Sequence, residues 1–127
     1  MSGGAWEYVA AYVNNGNSIL TTYGSSLVSA DPKYKDTYIS NGDTESGNYS
    51  NASSKVGDAV YETSSLGNEG QYSWYNNFSC MPLLGFPFFR RGGYYNSGTN
   101  GGLFHFDGDN GGAYSSYGFR PVVSCGY

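Results

Sequence analysis

The sequence predicts a single domain of the α+β class, in which a short helix or two and small antiparallel sheets hold long loops. The chain has 127 residues, which is enough for one modest hydrophobic core but not for two domains. Its apolar residues come in short runs, separated by segments rich in Gly, Asn and Ser, which favour turns. One segment carries a helix-initiation signal, whereas two apolar runs near the C-terminus have the composition of strands.

The N-terminal half is predicted to contain little regular structure. Residues 6–13 fit either a helical stripe or a strand, and in both cases they belong to the core. Residues 14–51 are predicted to be loop with one short helix, in which Asp31 is the cap and Pro32 takes the first helical position. A turn or helix is expected around residues 57–62.

The C-terminal half carries the strongest apolar signal. Residues 81–89 are the most apolar run, and their two prolines confine them to an edge strand or an extended segment crossing the core. This run is the predicted floor of the core. Residues 103–106 and 117–123 are predicted strands, separated by a loop at residues 107–112.

The low charge of the chain limits its partners. Only 13% of the residues are charged and the net charge is −4, so no basic stripe is available for phosphates or for an anionic membrane surface. No stretch is long and apolar enough to span a bilayer, and a targeting segment is not seen in this chain. We therefore expect no binding of nucleic acid and no membrane insertion.

The composition favours a binding surface. The chain has 14 tyrosines and 20 glycines beside many Asn and Ser residues. Tyrosine combines an apolar ring with a polar tip, and Gly, Ser and Asn supply adaptable loops, as in antibody paratopes. A Tyr-rich, filament-forming segment is the alternative, but the aliphatic runs and the two tryptophans favour a folded domain.

The two cysteines, Cys80 and Cys125, are too few for a disulfide framework. No Cys/His cluster offers a metal site, so neither a metal nor a cofactor is predicted. A bridge between the two would tie the segment before residues 90–93 to the C-terminus and stabilise the fold by about 2–4 kcal/mol. Two buried thiols explain the pair equally well.

Three motifs in order carry a family likeness. Residues 4–9 read Gly-Ala-Trp-Glu-Tyr-Val, residues 91–93 read Arg-Gly-Gly, and residues 118–120 read Gly-Phe-Arg. Together they resemble the motifs of the formylglycine-generating-enzyme-like branch of the C-type lectin fold. The resemblance implies a C-type lectin-like fold over residues 1–127. It also implies structural roles for six residues: Trp6, Arg91, Gly92, Gly93, Phe119 and Arg120.

Within this branch the chain is most similar to variable proteins of diversity-generating retroelements. In their variable region, Arg-Gly-Gly is followed by aromatic and Asn positions, a Gly-x-Phe strand, a loop and Gly-Phe-Arg, and residues 91–120 have the same order. The residue types at positions 94–117 are also those that adenine substitution in an Asn codon yields. The resemblance implies a non-catalytic domain with a hypervariable face for receptor recognition. Its location would be extracellular, at a cell surface or on a virion such as a phage, and its ligand a protein or glycan on another cell surface.

The predicted ligand contacts are the polar and aromatic side chains of this region: Tyr94, Tyr95, Asn96, Asn100, His105, Asp107, Asp109, Asn110, Tyr114 and Tyr117. Packing in the core is the alternative for Tyr95 and Tyr117, and turn hydrogen bonds are the alternative for the Asp and Asn residues. His105 lies between two phenylalanines, so strand alternation points it away from them. If both phenylalanines are buried, His105 faces solvent or ligand and could titrate near its usual pKa of about 6.5.

Two known chemistries of related folds lack their residues here. Formylglycine-generating oxidases need one thiol after the Gly-Gly strand and one directly after Gly-Phe-Arg, where this chain has Tyr-Tyr-Asn at residues 94–96 and Pro121. The sugar-binding calcium site of animal C-type lectins needs a Glu-Pro-Asn or Gln-Pro-Asp triplet, which the chain lacks. The Asp-rich residues 107–111 lack the carboxylate of a calcium loop, because Gly118 stands at the twelfth position. An enzyme is therefore not expected.

Arg90, Arg91 and Arg120 could clamp an anion, but the resemblance favours a bracing role through buried hydrogen bonds, with Glu7 and Asp58 as candidate partners. A different function also stays open. The chain could be a phage tail-fibre, pilus or surface filament subunit with a fixed lectin-like domain, whose tyrosines pack against copies of itself. Light scattering distinguishes a filament subunit from a binding domain. A monomer in dilute solution would argue against the filament subunit.

Overall fold

The computed structural model describes residues 4–40, 42–52, 57–65 and 72–119. These residues form one five-stranded sheet, two α-helices and three single-turn 3-10 helices, so the α+β class is confirmed. The strands are β1 (Trp6–Asn14), β2 (Asp36–Ile39), β3 (Phe88–Gly92), β4 (Gly102–Asp109) and β5 (Tyr117–Gly118). The helices are α1 (Ile19–Ser29) and α2 (Glu45–Asn51), and the 3-10 helices are Pro32–Tyr34, Trp74–Asn76 and Gly98–Asn100.

The sheet is mixed, whereas small antiparallel sheets were predicted. Its order is β2-β1-β3-β4, and β5 also pairs with β1. The β1–β3 and β3–β4 pairs are antiparallel, but β1 pairs in parallel with both β2 and β5. A parallel pair needs a crossover connection, and α1 supplies it between β1 and β2. The prediction was wrong because the sequence of this crossover resembles a loop.

The expectation that residues 14–51 are loop with one short helix was therefore wrong in part. The 3-10 helix Pro32–Tyr34 is the predicted one, and the Asp31 side chain accepts a hydrogen bond from the Lys33 N–H at 3.0 Å. The two α-helices were missed. Helix α1 has no side-chain cap, and helix α2 is a seven-residue polar helix capped by Thr44. At residues 57–62 the chain makes bends and turns, in agreement with the turn prediction.

The sheet carries a hydrophobic cluster on each face, as alternation along β1 requires. On one face, Val13 packs with a cluster that includes Tyr38, Met81, Phe89 and Phe106. On the other face, Tyr12 packs with Leu20 of α1 and Phe88. Residues 6–13 are thus a strand in the core, which resolves the ambiguity of their sequence.

Residues 81–89 form the predicted floor of the core, since Met81, Pro82, Pro87, Phe88 and Phe89 are buried. The edge-strand alternative was wrong. Strand β3 begins only after the second proline and lies between β1 and β4. The extended alternative was also wrong for the residues before it, because they make a tight turn in which the Phe86 N–H donates to the Leu83 carbonyl at 3.0 Å. The proline rule still holds, because a residue without an N–H cannot donate within a central strand. Its carbonyl remains available, and Val13 N–H donates to Pro87 O at 2.8 Å.

The predicted loop at residues 107–112 was wrong in its first half. Strand β4 continues to Asp109, because Arg90 on the neighbouring strand pairs with Asp107 and Asp109. The last predicted strand, residues 117–123, is described only as far as Phe119, and β5 covers Tyr117–Gly118. Arg120 and Cys125 lie outside the described residues, so the Cys80–Cys125 bridge stays a prediction; Cys80 itself is buried.

Candidate functional site

The predicted ligand contacts fall into two neighbouring groups. The first group surrounds a cavity of about 270 Å³. The residues that line it are Trp6, Phe78, Tyr94, Asn96, Ser97, Asn100, His105 and Asp107. Five of these eight belong to the ten predicted contacts, and we refer to this site as the Tyr94 cavity.

Aromatic rings form the walls of the Tyr94 cavity. The rings of Trp6 and Tyr94 are stacked with their centroids 5.9 Å apart. The His105 ring lies 4.6 Å from the Trp6 ring and 5.5 Å from the Phe78 ring, measured between centroids. The cavity therefore combines flat apolar surfaces with the amides of Asn96 and Asn100 at its edge, a mixture typical of ligand sites.

Local hydrogen bonds hold the loop that carries these side chains. The Tyr94 N–H donates to Ser97 Oγ at 2.9 Å, and the Ser97 N–H donates to the Tyr94 carbonyl at 2.9 Å. Gly93 has a φ of 81°, and a Cβ at this position would lie 2.9 Å from Gly101 Cα. The Gly-Gly pair after Arg91 is thus needed for the turn, since only glycine combines this φ with so close an approach. The backbone is fixed without the side chains of Tyr95 and Asn96, which are exposed.

His105 was expected to face solvent or ligand, and the solvent alternative was wrong, because the side chain is only 2% exposed. Its Nδ1 lies 2.7 Å from the Asn100 carbonyl, and within the described residues its buried Nε2 has no hydrogen-bond partner. Burial lowers the pKa of the imidazole below its usual value, against the raising effect of the Asn100 carbonyl. The ring is therefore neutral at neutral pH and donates from Nδ1. Phe104, the neighbour of His105 on β4, points to the opposite face, as strand alternation requires. There its ring contacts Trp74 and Tyr75.

The second group of predicted contacts is organised by Arg90. Its Nη2 lies 2.7 Å from Asp107 Oδ2, and its Nη1 lies 2.9 Å from Asp109 Oδ2. Arg90 also donates to the hydroxyl of Tyr117, and the guanidinium carbon lies 4.2 Å from the centroid of the Trp6 ring. Burial disfavours the charged guanidinium, but the two carboxylates outweigh it and raise the pKa of Arg90. Arg90 thus connects this group to the wall of the Tyr94 cavity.

Hydrogen bonds within the protein occupy several of the predicted contact groups. The Tyr8 hydroxyl donates to Asp109 Oδ1 at 2.6 Å, and the Tyr117 hydroxyl donates to Asp109 Oδ2. Burial, and then the hydrogen bond to Asp109, raise the pKa of Tyr8 and of Tyr117. These contacts match the core-packing alternative for Tyr117. In contrast to Tyr117, Tyr114 is exposed.

Asn110 makes a turn hydrogen bond, since its Oδ1 accepts from the Gly112 N–H at 2.8 Å. This matches the turn alternative for Asn110. Its Nδ2 points to the exposed Tyr114, whose hydroxyl it reaches at 3.3 Å. The two side chains therefore present a polar and an aromatic group together at the surface.

The residues predicted to be structural have different environments. Trp6, Gly92 and Gly93 are buried. Arg91 Nη2 donates to the backbone carbonyl of Asp58 at 2.8 Å, so Asp58 is a partner of Arg91 through its main chain. Burial lowers the pKa of Arg91, against the raising effect of the Asp58 charge.

Phe119 and Arg90 have different surroundings. Phe119 is 86% exposed, because β5 ends at Gly118 and the ring lies beyond the paired residues. Arg90 pairs with Asp107 and Asp109, since the β3–β4 register places Arg90 opposite Asp107.

Sequence reasoning missed Tyr8 and Phe78 as parts of the site and the central position of Arg90. Asp107 and Asp109 are two residues apart, so on a strand their carboxylates share one face, which is a signal for a basic partner. The partner itself could be found only from the β3–β4 register, which places Arg90 opposite Asp107. Phe78 comes from a distant irregular segment and carries no local signal.

Within the described part of the chain, no group of three or more His, Cys, Asp or Glu side chains could hold a metal ion. The same residues include no helix with the length and apolar character needed to cross a membrane. Comparison with protein-family models, with curated proteins and with solved structures finds no match to this chain.

Proposed function

We propose that this chain is a non-catalytic ligand-binding domain with a C-type lectin-like fold, and that it is the variable protein of a diversity-generating retroelement. Its Tyr/Asn-rich face, within residues 94–117, binds a protein or glycan ligand. The observation that carries the proposal is the Tyr94 cavity, where Tyr94, Asn96, Asn100, His105 and Asp107 line one space. Residues that the motif pattern predicts as ligand contacts thus share a concave surface, which is a common form of binding site.

The arrangement of the three motifs supports the lectin-like scaffold. Their segments lie far apart in the sequence, yet they meet around Glu7 of β1. In the β1–β3 pair Glu7 stands opposite Arg91, and in the β1–β5 pair it stands opposite Gly118. Motifs that converge in this way have a shared structural role, which is what the resemblance implies for them.

The division between scaffold and exposed face supports diversification. Tyr95, Asn96 and Asn100 are exposed, and hydrogen bonds between Tyr94 and Ser97 hold the turn that carries Tyr95 and Asn96. The Asn100 carbonyl, for example, accepts from Phe78 N–H at 3.0 Å whatever side chain the residue carries. Substitution at such positions changes the binding surface and leaves the core intact.

A pair of display libraries tests the proposal. The first library randomises four exposed positions of the face: Tyr95, Asn96, Asn100 and Tyr114. The control library randomises three positions of the same region whose side chains are engaged inside the protein, His105, Asp109 and Tyr117. We expect most members of the first library to resist protease as the parent does, and to yield binders to several unrelated target proteins. The control library should lose most of its folded members.

The proposal fails if the two libraries lose folded members equally often. It also fails if the first library stays folded but no binder is selected against any target in the panel. Either result would mean that this face is not adapted to carry variable contacts.

A further inference from the structure

A second aromatic surface lies outside the Tyr94 cavity. Trp74 and Tyr75 both pack on Phe104, and we call these three residues the aromatic platform. The Tyr75 and Phe104 rings are nearly parallel, with an angle of 9° and centroids 5.8 Å apart, and the Trp74 ring meets Phe104 edge-on at 5.3 Å. Tyr75 is 86% exposed and Trp74 is 55% exposed. The outer faces of these rings therefore contribute little to the core.

The backbone beneath the platform is strained. Tyr75 and Asn76 have φ values of 62° and 59°, so two consecutive non-glycine residues adopt the left-handed conformation. Strain of this kind persists only where the surrounding structure enforces it, and it is concentrated at functional sites. Ser73 Oγ donates to the Asn77 carbonyl at 2.7 Å, and the Trp74 N–H donates to the Thr63 carbonyl at 2.9 Å. The turn is thus held on both sides.

Asn77 fixes the platform to β4. With its amide oriented to satisfy both neighbours, the side-chain oxygen accepts from the Phe104 N–H at 3.0 Å and from the Leu103 N–H at 3.3 Å. A Cβ on Gly102 would overlap this amide, so the glycine is needed for the contact. Tyr75 and Phe104, which are far apart in sequence, are therefore held in one rigid stack.

The platform is separate from the Tyr94 cavity. Phe104 and His105 are neighbours on β4, so their side chains point to opposite faces. Phe104 contacts Trp74 and Tyr75, whereas His105 contacts Trp6 and Phe78. A ligand on the platform would thus leave the cavity free.

The two described segments that carry the platform contain no charged residue. Residues 72–79 and 94–106 contain no Asp, Glu, Lys or Arg, and the one histidine among them is the buried His105. A single-stranded nucleic acid, which also stacks on aromatic rings, needs a cationic groove that these segments lack. The exposed neighbours, such as Asn76, offer uncharged amides.

We propose that the aromatic platform binds a neutral glycan, with sugar rings stacked on Tyr75 and Trp74. The apolar C–H face of a pyranose matches an exposed aromatic ring, and its hydroxyl groups match uncharged amide donors and acceptors. A rigid stack suits this ligand, because rings that are already ordered lose little entropy on binding. The inference does not depend on whether residues 94–117 are diversified.

Affinity electrophoresis of the whole chain tests this proposal. The gels contain soluble neutral polysaccharides, namely hydroxyethylcellulose, galactomannan, xylan or starch, or the anionic polysaccharides alginate and polygalacturonate. We expect at least one neutral polysaccharide to retard the protein and neither anionic one to do so. Tyr75→Gly removes the ring and suits the positive φ, so the variant should stay folded and bind at least about tenfold more weakly. Tyr34→Ala, which removes an exposed tyrosine elsewhere, should bind like the parent.

Tryptophan fluorescence gives a second readout that needs no variant. Trp6 is buried and Trp74 is exposed, so acrylamide quenching in the parent protein reports mainly on Trp74. The polysaccharide that retards the protein should protect Trp74 from acrylamide.

Three results would overturn the proposal: no neutral polysaccharide retards the protein, Tyr75→Gly binds like the parent, or quenching is unchanged by the retarding polysaccharide. A Tyr94→Ala/Asn96→Ala variant separates this proposal from the proposed function. If that variant loses retardation and Tyr75→Gly keeps it, the sugar site is the Tyr94 cavity and the platform proposal is wrong.

Discussion

The imidazole of His105 lies between the rings of Trp6 and Phe78. In its neutral form it donates from Nδ1 to the Asn100 carbonyl, and the buried Nε2 has no partner within the described residues. Protonation would place an N–H and a positive charge where the described residues provide no acceptor. Burial therefore disfavours the protonated ring and lowers the pKa of His105.

This burial predicts a pH dependence of stability. Below the usual histidine pKa of about 6.5 the unfolded chain binds a proton that the folded chain does not, so the free energy of unfolding falls as the pH falls. His105 is the only histidine, and carboxylates titrate mainly at lower pH. Urea unfolding between about pH 7 and pH 5.5 measures the effect.

The matched variant for this prediction is His105→Phe, which keeps a ring and removes the titration. We expect the free energy of unfolding of the parent to fall more steeply with decreasing pH than that of the variant. Parallel curves for the two proteins would contradict the account of His105.

At this scale the sequence predicts the alternation of residues 104–106 but not which side is exposed. That choice depends on Trp74, Tyr75 and Phe78, which come from an irregular segment about thirty residues earlier. Long-range contacts of this kind leave no periodic pattern in the sequence. The hydrogen bonds that Tyr117 makes with Arg90 and Asp109 are another example, and the sequence predicted Tyr117 as a ligand contact.

At the scale of elements, helix α1 shows how packing overrides local preference. Its sequence is rich in Ser and Thr and contains Gly24, whose φ and ψ are not helical. These features predict a loop, yet Leu20, Leu27 and Val28 pack on Tyr12 and Phe88. Burial of an apolar stripe thus stabilises a helix that intrinsic propensity does not favour.

Gly24→Ala should destabilise the protein, although alanine normally stabilises a helix by about 1 kcal/mol over glycine. A Cβ at this position would overlap the Phe88 ring, which is buried and cannot move away freely. Overpacking of this kind typically costs about 1–3 kcal/mol, so we expect a net decrease in the free energy of unfolding and a lower Tm.

Ser25→Ala provides the control, because Ser25 is exposed on the same helix. It should leave the Tm unchanged or slightly raised. If Gly24→Ala raises the Tm as much as Ser25→Ala does, the close contact between α1 and Phe88 is wrong.

The strands were easier to predict than the helices. Residues 81–89 and 103–106 are rich in apolar and aromatic residues, and both runs supply buried core residues, such as Met81, Phe89 and Phe106. The two proline positions place the start of β3 at Phe88, but they do not reveal that β3 is central. Pairing order is a long-range property. The parallel β1–β2 pair also requires the crossover helix α1, whose sequence predicts a loop.

At the scale of the whole molecule, the two proposed sites lie on either side of β4. The Tyr94 cavity and the aromatic platform share this strand through His105 and Phe104. The β1–β3–β4 part of the sheet and the Arg90 ion pairs hold both surfaces in place. A rigid scaffold with exposed polar and aromatic side chains is suited to recognition, since few groups must become ordered on binding.

The central claim is that residues 94–117 form a face whose sequence is diversified by a retroelement. The most direct measurement is deep sequencing of this locus across its source population. The account predicts that substitutions concentrate at codons 94–117, that they trace to adenines, and that they spare the glycines and Arg91 before the face. Sparse substitutions spread evenly over the gene would contradict it, and the Tyr94 cavity would then be a fixed site.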